Sequence, residues 1–229
     1  MPNDEKKMSS SRNQRLSRYI KNLSGVVAYY PMNETSGGVA YDRKGSTNGT
    51  VTSVSMGQSG RIGTAYRFDG ASSGVTFGFS LASPFSIGLL VKRNGTQDTN
   101  DRLLDYSDSG PENGMNISFP AAGSGTAPYF SIYNSTTQTA TVSFGTIASD
   151  TWYLLVATFE TNSAKVYLNG VFVAEDTSCA MSAPSAPFTL GKRATGTTNY
   201  FKGSVQHFFI ANSVLTPTQI TRLANIVGA

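Results

Sequence analysis

Few side chains in this 229-residue sequence can do acid–base or covalent chemistry. The single histidine, His207, sits in the apolar run "SVQHFFIA" with no nucleophile-elbow motif beside it. It reads as a packed strand histidine rather than a member of a catalytic triad. The single cysteine, Cys179, lies in "EDTSCAMSAP" without a basic neighbour to lower its pKa, so it reads as a free thiol and forms no disulfide within the chain. Four aspartates, Asp98, Asp101, Asp105 and Asp108, fall in "QDTNDRLLDYSDSGPEN" at spacings that suggest a solvated loop and strand end. The stretch from Ala28 to Val51, "AYYPMNETSGGVAYDRKGSTNGTV", looks more like a ligand site. Glu34, Asp42 and the carbonyls around Asn48 are oxygen donors of the kind calcium gathers, with Asp42 capping a turn and Glu34 solvated as the competing reading. Its glycines do not make a phosphate cradle, because they lead into turn and strand rather than into an opening helix. Calcium is therefore the one cofactor these residues suggest, and no catalytic residue is assigned.

Sugar binding needs no motif. It uses aromatic faces to stack on rings, with Asn, Asp or Arg to bond hydroxyls. Tyr106, Tyr129, Tyr133 and Tyr200 stand beside segments rich in Asn, Ser and Thr and are the glycan-binding candidates.

The elements that must position these residues are short strands. Charged residues are 14% of the chain and aromatics 11%, with abundant Gly, Ser and Thr, a composition suited to many strands joined by turns. "PFSIGLLVK" places Phe85, Ile87, Leu89 and Val91 on one face, and "DTWYLLVATFE" is apolar on both faces, as in a strand covered on both sides. In "AKVYLNGVFVAE", Asn169-Gly170 separates two strand-like runs and predicts a type I′ hairpin. "LTPTQITRLANIV" predicts a closing helix with Thr216 as N-cap, Pro217 in its first turn, Gln219 completing a capping box, and Ile220, Leu223 and Ala224 inward.

The formal net charge of +4 resides in residues 1–24, where Lys6, Lys7, Arg12, Arg15, Arg18 and Lys21 face only Asp4 and Glu5. The rest is neutral, which argues against a nucleic-acid face on the main domain. Leu16, Tyr19, Ile20 and Leu23 follow helical spacing, and such a helix either packs on its own domain or docks on a partner. The residues before it are expected to be disordered. No apolar run approaches the roughly 18 residues that span a bilayer, and no secretory leader is evident, so a soluble chain outside the classical secretory route is expected. Asn-x-Ser/Thr triplets at Asn33, Asn48, Asn94, Asn116 and Asn134 are taken as chance in so Asn-, Ser- and Thr-rich a chain. The expected organisation is a basic arm, residues 1–24, followed by one β domain, residues 25–229.

The order of seven segments, "VAYYPMNETSG", "AYDRKGSTNGT", "GRIGTAYRFDGASSGV", "PFSIGLLVKR", "TWYLLVATFETNSAKVYLNGVFV", "FTLGKR" and "YFKGSVQHFFIANSVLTPTQITRLAN", resembles the concanavalin A-like lectin/glucanase jelly roll and, within it, the laminin-G-like group. The resemblance implies an all-β fold: a two-sheet antiparallel jelly-roll sandwich with an N-terminal helical arm and a short C-terminal helix. Two positions depart from the family pattern. Leu90 replaces the usual strand Trp, leaving Trp152 as the one tryptophan, and Gln206 and His207 stand where relatives carry carboxylates that help hold a structural calcium. The Glu-x-Asp-x-x-Glu cluster of the glucanase relatives is missing, which implies a non-catalytic module. With its basic arm the chain is also similar to accessory proteins of tailed-phage particles. That similarity implies a virion protein, a head decoration or tail component, whose arm residues Arg12, Arg15, Leu16, Tyr19, Ile20 and Leu23 dock on capsid or tail proteins. Its loops would then meet cell-surface or mucus glycans, and symmetric homo-oligomers are compatible with so many displayed loops. The alternatives are a free lectin, extracellular by an unrecognised route, and a glycoside-acting enzyme.

Overall fold

A computed structural model describes residues 2–95, 101–108, 113–120, 127–135 and 137–229. In chain order its elements are α1 (Pro2–Asn22), β1 (Val26–Tyr30), β2 (Val39–Ala40), β3 (Gly49–Thr52), β4 (Ser55–Ser59), β5 (Thr64–Asp69), β6 (Gly74–Phe77), β7 (Phe85–Arg93) and β8 (Arg102–Ser107). There follow β9 (Gly114–Ser118), β10 (Tyr129–Asn134), β11 (Thr137–Ser143), β12 (Trp152–Glu160), β13 (Ser163–Leu168), β14 (Val171–Asp176), β15 (Phe188–Leu190), β16 (Lys202–Ala211) and α2 (Pro217–Val227).

The strands form two antiparallel sheets. The first runs β14-β13-β12-β7-β16-β5-β4, with β1 also paired to β16, and the second runs β11-β10-β9-β8-β15-β6-β3-β2. Phe85, Ile87, Leu89 and Val91 of β7 face Ile117, Phe130, Ile132, Phe188 and their neighbours in the core between the sheets. The opposite faces of β7 and β12 carry Leu90, Leu154 and Val156 into a second apolar cluster with the two helices. This is why "WYLLVATFE" is apolar on both sides: sheet covers one face and helix the other.

Local chemistry sets the turns where the sequence indicates it. Asn169 and Gly170 both have positive φ, 50° and 85°, as the type I′ hairpin between β13 and β14 requires. Helix α2 starts at the Thr216 N-cap, with the Thr216–Gln219 capping box formed and Ile220, Leu223 and Ala224 buried.

The N-terminal arm departs from expectation. Helix α1 begins at Pro2 rather than after a disordered leader; proline's fixed φ is compatible with a first helical turn. Nor is its apolar stripe left for a partner. Leu16, Ile20 and Leu23 are buried against Tyr29, Ile220, Leu223 and Val227, because the outer face of the first sheet would otherwise expose Leu90, Leu154 and Val156 to water. Tyr19 is half-buried beside them, with its hydroxyl donating to the Gln219 carbonyl at 3.3 Å. The predicted boundary at residue 24 is thus a change of secondary structure across which one packed cluster continues.

Candidate functional site

The outer face of the second sheet is polar, because side chains alternate along most of its strands. Leu104 and Tyr106 of β8, Met115 and Ile117 of β9, Phe130 and Ile132 of β10, and Phe188 and Leu190 of β15 point into the core. Their neighbours point the other way. Cross-strand pairing aligns Thr50, Thr76, Thr189, Asp105, Asn116, Ser131 and Thr141 in a single row over seven strands. At the centre of the row Thr189, Asp105, Asn116 and Ser131 are all buried, so their polar atoms need partners. Ser107 Oγ donates to Asp105 Oδ1 at 2.5 Å, Ala194 N to Asp105 Oδ2 at 3.2 Å, and Asn116 Nδ2 to Tyr133 Oη at 3.1 Å. Gln138 Nε2 reaches both Ser131 Oγ (2.9 Å) and Tyr133 Oη (3.3 Å). Burial pushes the Asp105 carboxyl above its ordinary pKa, opposed by the Arg102 guanidinium and the Ser107 hydroxyl.

Beside this row lies a second line that is accessible chiefly at its two ends. Arg102 pairs with Ser118, Ser118 pairs with Tyr129, and an isolated bridge joins Arg102 to Tyr200. Tyr129 and Tyr200 are half-buried and flank Arg102 and Ser118, spanning three strand spacings of about 4.8 Å each. Arg102 is held from below: its Nε lies 3.7 Å from Asp105 Oδ2, and its Nη1 donates to Ser118 Oγ at 2.8 Å. Ser118 Oγ in turn donates to Asn116 Oδ1 at 2.5 Å. The surface thus presents two half-buried tyrosines on either side of a partly exposed guanidinium, with the buried Ser118 hydroxyl and the hydrogen-bond network beneath it setting the position of Arg102.

The glycan candidates therefore divide. Tyr129 and Tyr200 are half-buried at this face, Tyr133 is buried beneath it with its hydroxyl accepting from Asn116 and Gln138, and Tyr106 is a core residue stacked on Phe188 at 5.6 Å between ring centroids. The alternation Leu104-Asp105-Tyr106-Ser107 carried that signal, since Tyr106 shares the face of Leu104. Asp105 and Asp101 are buried rather than solvated, and Arg102 and Asp105 were missed as site residues. Asp108 ties a distant segment in place, accepting from Ser185 N, Ser185 Oγ and Ala186 N at 2.9–3.0 Å. Asp98 lies outside the described residues.

The calcium trio is otherwise engaged. Asp42 Oδ1 accepts from Tyr29 N, Lys44 N and Gly45 N at 2.9–3.0 Å, and Asn48 Oδ1 accepts from Asp42 N. Glu34 accepts from Tyr41 N and the Tyr66 hydroxyl, with Arg43 at 3.8 Å. N–H and O–H donors thus meet Asp42 Oδ1, Asn48 Oδ1 and both Glu34 oxygens, and with these bonds Glu34, Asp42 and Asn48 brace the first corner. Among the described residues no group of three or more His, Cys, Asp or Glu converges as metal ligands.

The two departures at β16 have their own partners. Gln206 Oε1 accepts from Arg61 N (2.8 Å) and Ile62 N (3.3 Å), while its Nε2 donates to the carbonyls of Ile62 (2.9 Å) and Thr64. His207 is buried at positive φ (50°) and lies 2.7 Å, Nδ1 to Oη, from Tyr29, whose hydroxyl also meets Ser17 Oγ of α1 at 2.6 Å. Cys179 is buried, and desolvation with nearby Asp176 raises its thiol pKa to about 11, which suits a packed thiol and not a nucleophile.

The fold recurs in proteins of known structure. Domain 4 of an extracellular arabinanase from Geobacillus stearothermophilus, solved with arabinotriose, superposes with TM-score 0.66 at 22% identity over 88% of this chain and 98% of that one. Trypanosoma rangeli sialidase with sialic acid gives TM-score 0.68 at 14% identity over 94% of this chain and 37% of that one. A botulinum neurotoxin type C structure, described as depending on two ganglioside molecules for cell entry, gives 0.70 at 13% identity over 92% and 53%. The chain thus spans well under two thirds of the sialidase and toxin chains, and at these identities the likeness is one of fold. No curated protein matches the sequence significantly. A family model described as the concanavalin A-like lectin/glucanases superfamily matches residues 68–221, from the end of β5 into α2. That match covers more than half of the chain and most of the sandwich, and the protein belongs to the concanavalin A-like lectin/glucanases superfamily.

Proposed function

We propose that the protein is a non-catalytic carbohydrate-recognition module that binds glycans on the outer face of its second sheet. The observation that carries this reading is the Tyr200–Arg102–Ser118–Tyr129 line over a buried polar network. Two tyrosine faces stack on sugar rings, and Arg102, oriented by the buried Ser118 hydroxyl, bonds hydroxyl or carboxyl groups between them. The arabinotriose, sialic acid and gangliosides named for the structural neighbours are compatible ligand classes.

Asp105 supports the non-catalytic reading. Glycoside hydrolysis uses two carboxyl groups about 5 to 9.5 Å apart, one as acid and one as nucleophile or base. Both oxygens of Asp105 are already held, Oδ1 by Ser107 and Oδ2 by Ala194 and Arg102, so it serves to orient Arg102. Attachment to a virus particle through the arm would have to use the helix's basic outer side, because Leu16, Ile20 and Leu23 are covered by the chain's own sandwich.

The test is a glycan array followed by titration of the best ligand into the wild type, Tyr129→Ala and Tyr200→Ala. Each substitution should weaken binding at least tenfold while leaving the melting temperature nearly unchanged, since both tyrosines are only half-buried. Failure of the array to yield a ligand, or equal affinity in both variants, refutes the site. Release of reducing sugar from a bound glycan refutes the non-catalytic assignment.

A further inference from the structure

Because α1 turns its apolar stripe inward, Arg15 and Arg18 are left on one side of it, beside α2. Arg15, Arg18, Tyr19 and Asn22 follow one another at helical spacing, and with Arg222 and Ile226 of α2 they line a groove of about 300 Å3 between the two helices. Among the described residues no carboxylate pairs with Arg15, Arg18 or Arg222. The Arg222 guanidinium rests over the Tyr19 ring, 4.9 Å from its centroid, and Tyr19 is itself anchored by its hydroxyl to the Gln219 carbonyl. One cation of the set is therefore held in position before any ligand arrives, which lowers the entropy lost on binding. At the other end of the helix pair, outside the groove, Arg61 donates to the Gly228 carbonyl, and a Cβ placed on Gly228 would lie 3.4 Å from Arg12 Nη1.

We infer that this groove is a binding site for a tetrahedral oxyanion, a sulfate or phosphate group. Three guanidiniums line it with no carboxylate partner among the described residues, and each presents a planar fork of donors that matches such an anion in bidentate fashion. All of the chain's net positive charge lies in residues 1–24, so the field around the groove is not cancelled by the rest of the neutral sandwich. The site is on the helix-covered side of the first sheet, separate from the carbohydrate face proposed on the second, and does not rest on that proposal. The same chemistry is available from a free inorganic ion or from a sulfate ester carried on a glycan.

Calorimetric titration of the full chain at constant ionic strength tests this, with sodium phosphate and sodium sulfate in one arm and a sulfated oligosaccharide with its desulfated counterpart in the other. Saturable binding of the inorganic ions, weakened at least tenfold by Arg18→Gln or Arg222→Gln and unchanged by Arg67→Gln, supports a free-ion site. Binding of the sulfated oligosaccharide alone, lost on desulfation and in the same two variants, supports an ester-borne group. Absence of saturable binding in both arms, or an equal loss in Arg67→Gln, which removes one charge elsewhere, overturns the proposal.

Discussion

Gln206 does what a carboxylate at its position cannot. Its amide accepts from two backbone N–H groups with one atom and donates to two carbonyls with the other, closing the segment from Arg61 to Thr64 onto β16. Replacing it with Glu removes both donations, leaves the carbonyls of Ile62 and Thr64 facing a charge of like sign, and buries that charge. Gln206→Glu should cost about 2 to 4 kcal/mol, read as a lower urea midpoint at pH 7 with unchanged slope. His207 makes a second residue-scale prediction. Complete desolvation holds its pKa near 4, below the ordinary 6.5, and its Nε2 is buried without a partner. The unfolded chain therefore takes up the proton first as pH falls. Stability is complete above pH 6.5, declines between 6.5 and about 4, and then levels with respect to this group. The shift corresponds to roughly 3 kcal/mol. Urea unfolding from pH 7.5 to 4 should show that decline. His207→Asn, which tolerates the positive φ and does not titrate, should flatten it, and an unchanged pH slope in that variant would rule out His207 as the source.

The N-terminal helix is held as a core element. Leu16 and Ile20 are each only 1% exposed and meet side chains from both α2 and the first sheet. Leu16→Ala and Ile20→Ala should each destabilise the whole domain by about 2 to 4 kcal/mol, as truncations in a core do. A free arm would give no change in the unfolding midpoint, so equilibrium denaturation separates the two descriptions directly. How far such elements could be read from sequence depended on the range of the interaction. The Asn169-Gly170 turn and the Thr216–Gln219 capping box were legible because their chemistry lies within four residues. The alternation of β7 likewise named its core face. Helical spacing in α1 showed that Leu16, Ile20 and Leu23 share a stripe but not what covers it, because most of the covering residues, from Leu90 and Leu154 to Ile220, Leu223 and Val227, are remote in the chain. The candidate site was harder still. Tyr129, Tyr133 and Tyr200 were named as single aromatics, yet the row that makes them a surface arises from pairing among β8, β9 and β10 and from the bridge between Arg102 and Tyr200. The irregularity between Arg102 and Leu104 also breaks the alternation of β8 at its start, so Arg102 could not be assigned a face by counting from Tyr106. The partners of Gln206 stand more than 140 residues away, which is why its amide looked like a lost ligand instead of a structural link.

At the scale of the molecule, the sandwich separates two chemistries. The second sheet turns hydroxyls, amides and tyrosines outward, while the first sheet is roofed by two helices that carry the basic groove. Two apolar layers intervene: the cluster between the sheets and the cluster beneath the helices. These layers keep charges on the two opposite faces further apart than the roughly 8 to 10 Å over which salt screens exposed charges, so their mutual influence through solvent is small. Coupling would then require a change of shape, yet strands β7 and β12, buried on both faces, resist one. A glycan on the second sheet and an oxyanion between the helices should therefore bind independently. Titrating the glycan into protein saturated with phosphate, with ionic strength matched by chloride, should give the same Kd within a factor of two. Tyr200→Ala should abolish the first event without affecting the second, and Arg222→Gln should do the reverse. Competition between the two ligands would mean that they share one surface and would refute this separation. Cooperativity of tenfold or more would show that the paired sheets shift as a unit when either face is occupied.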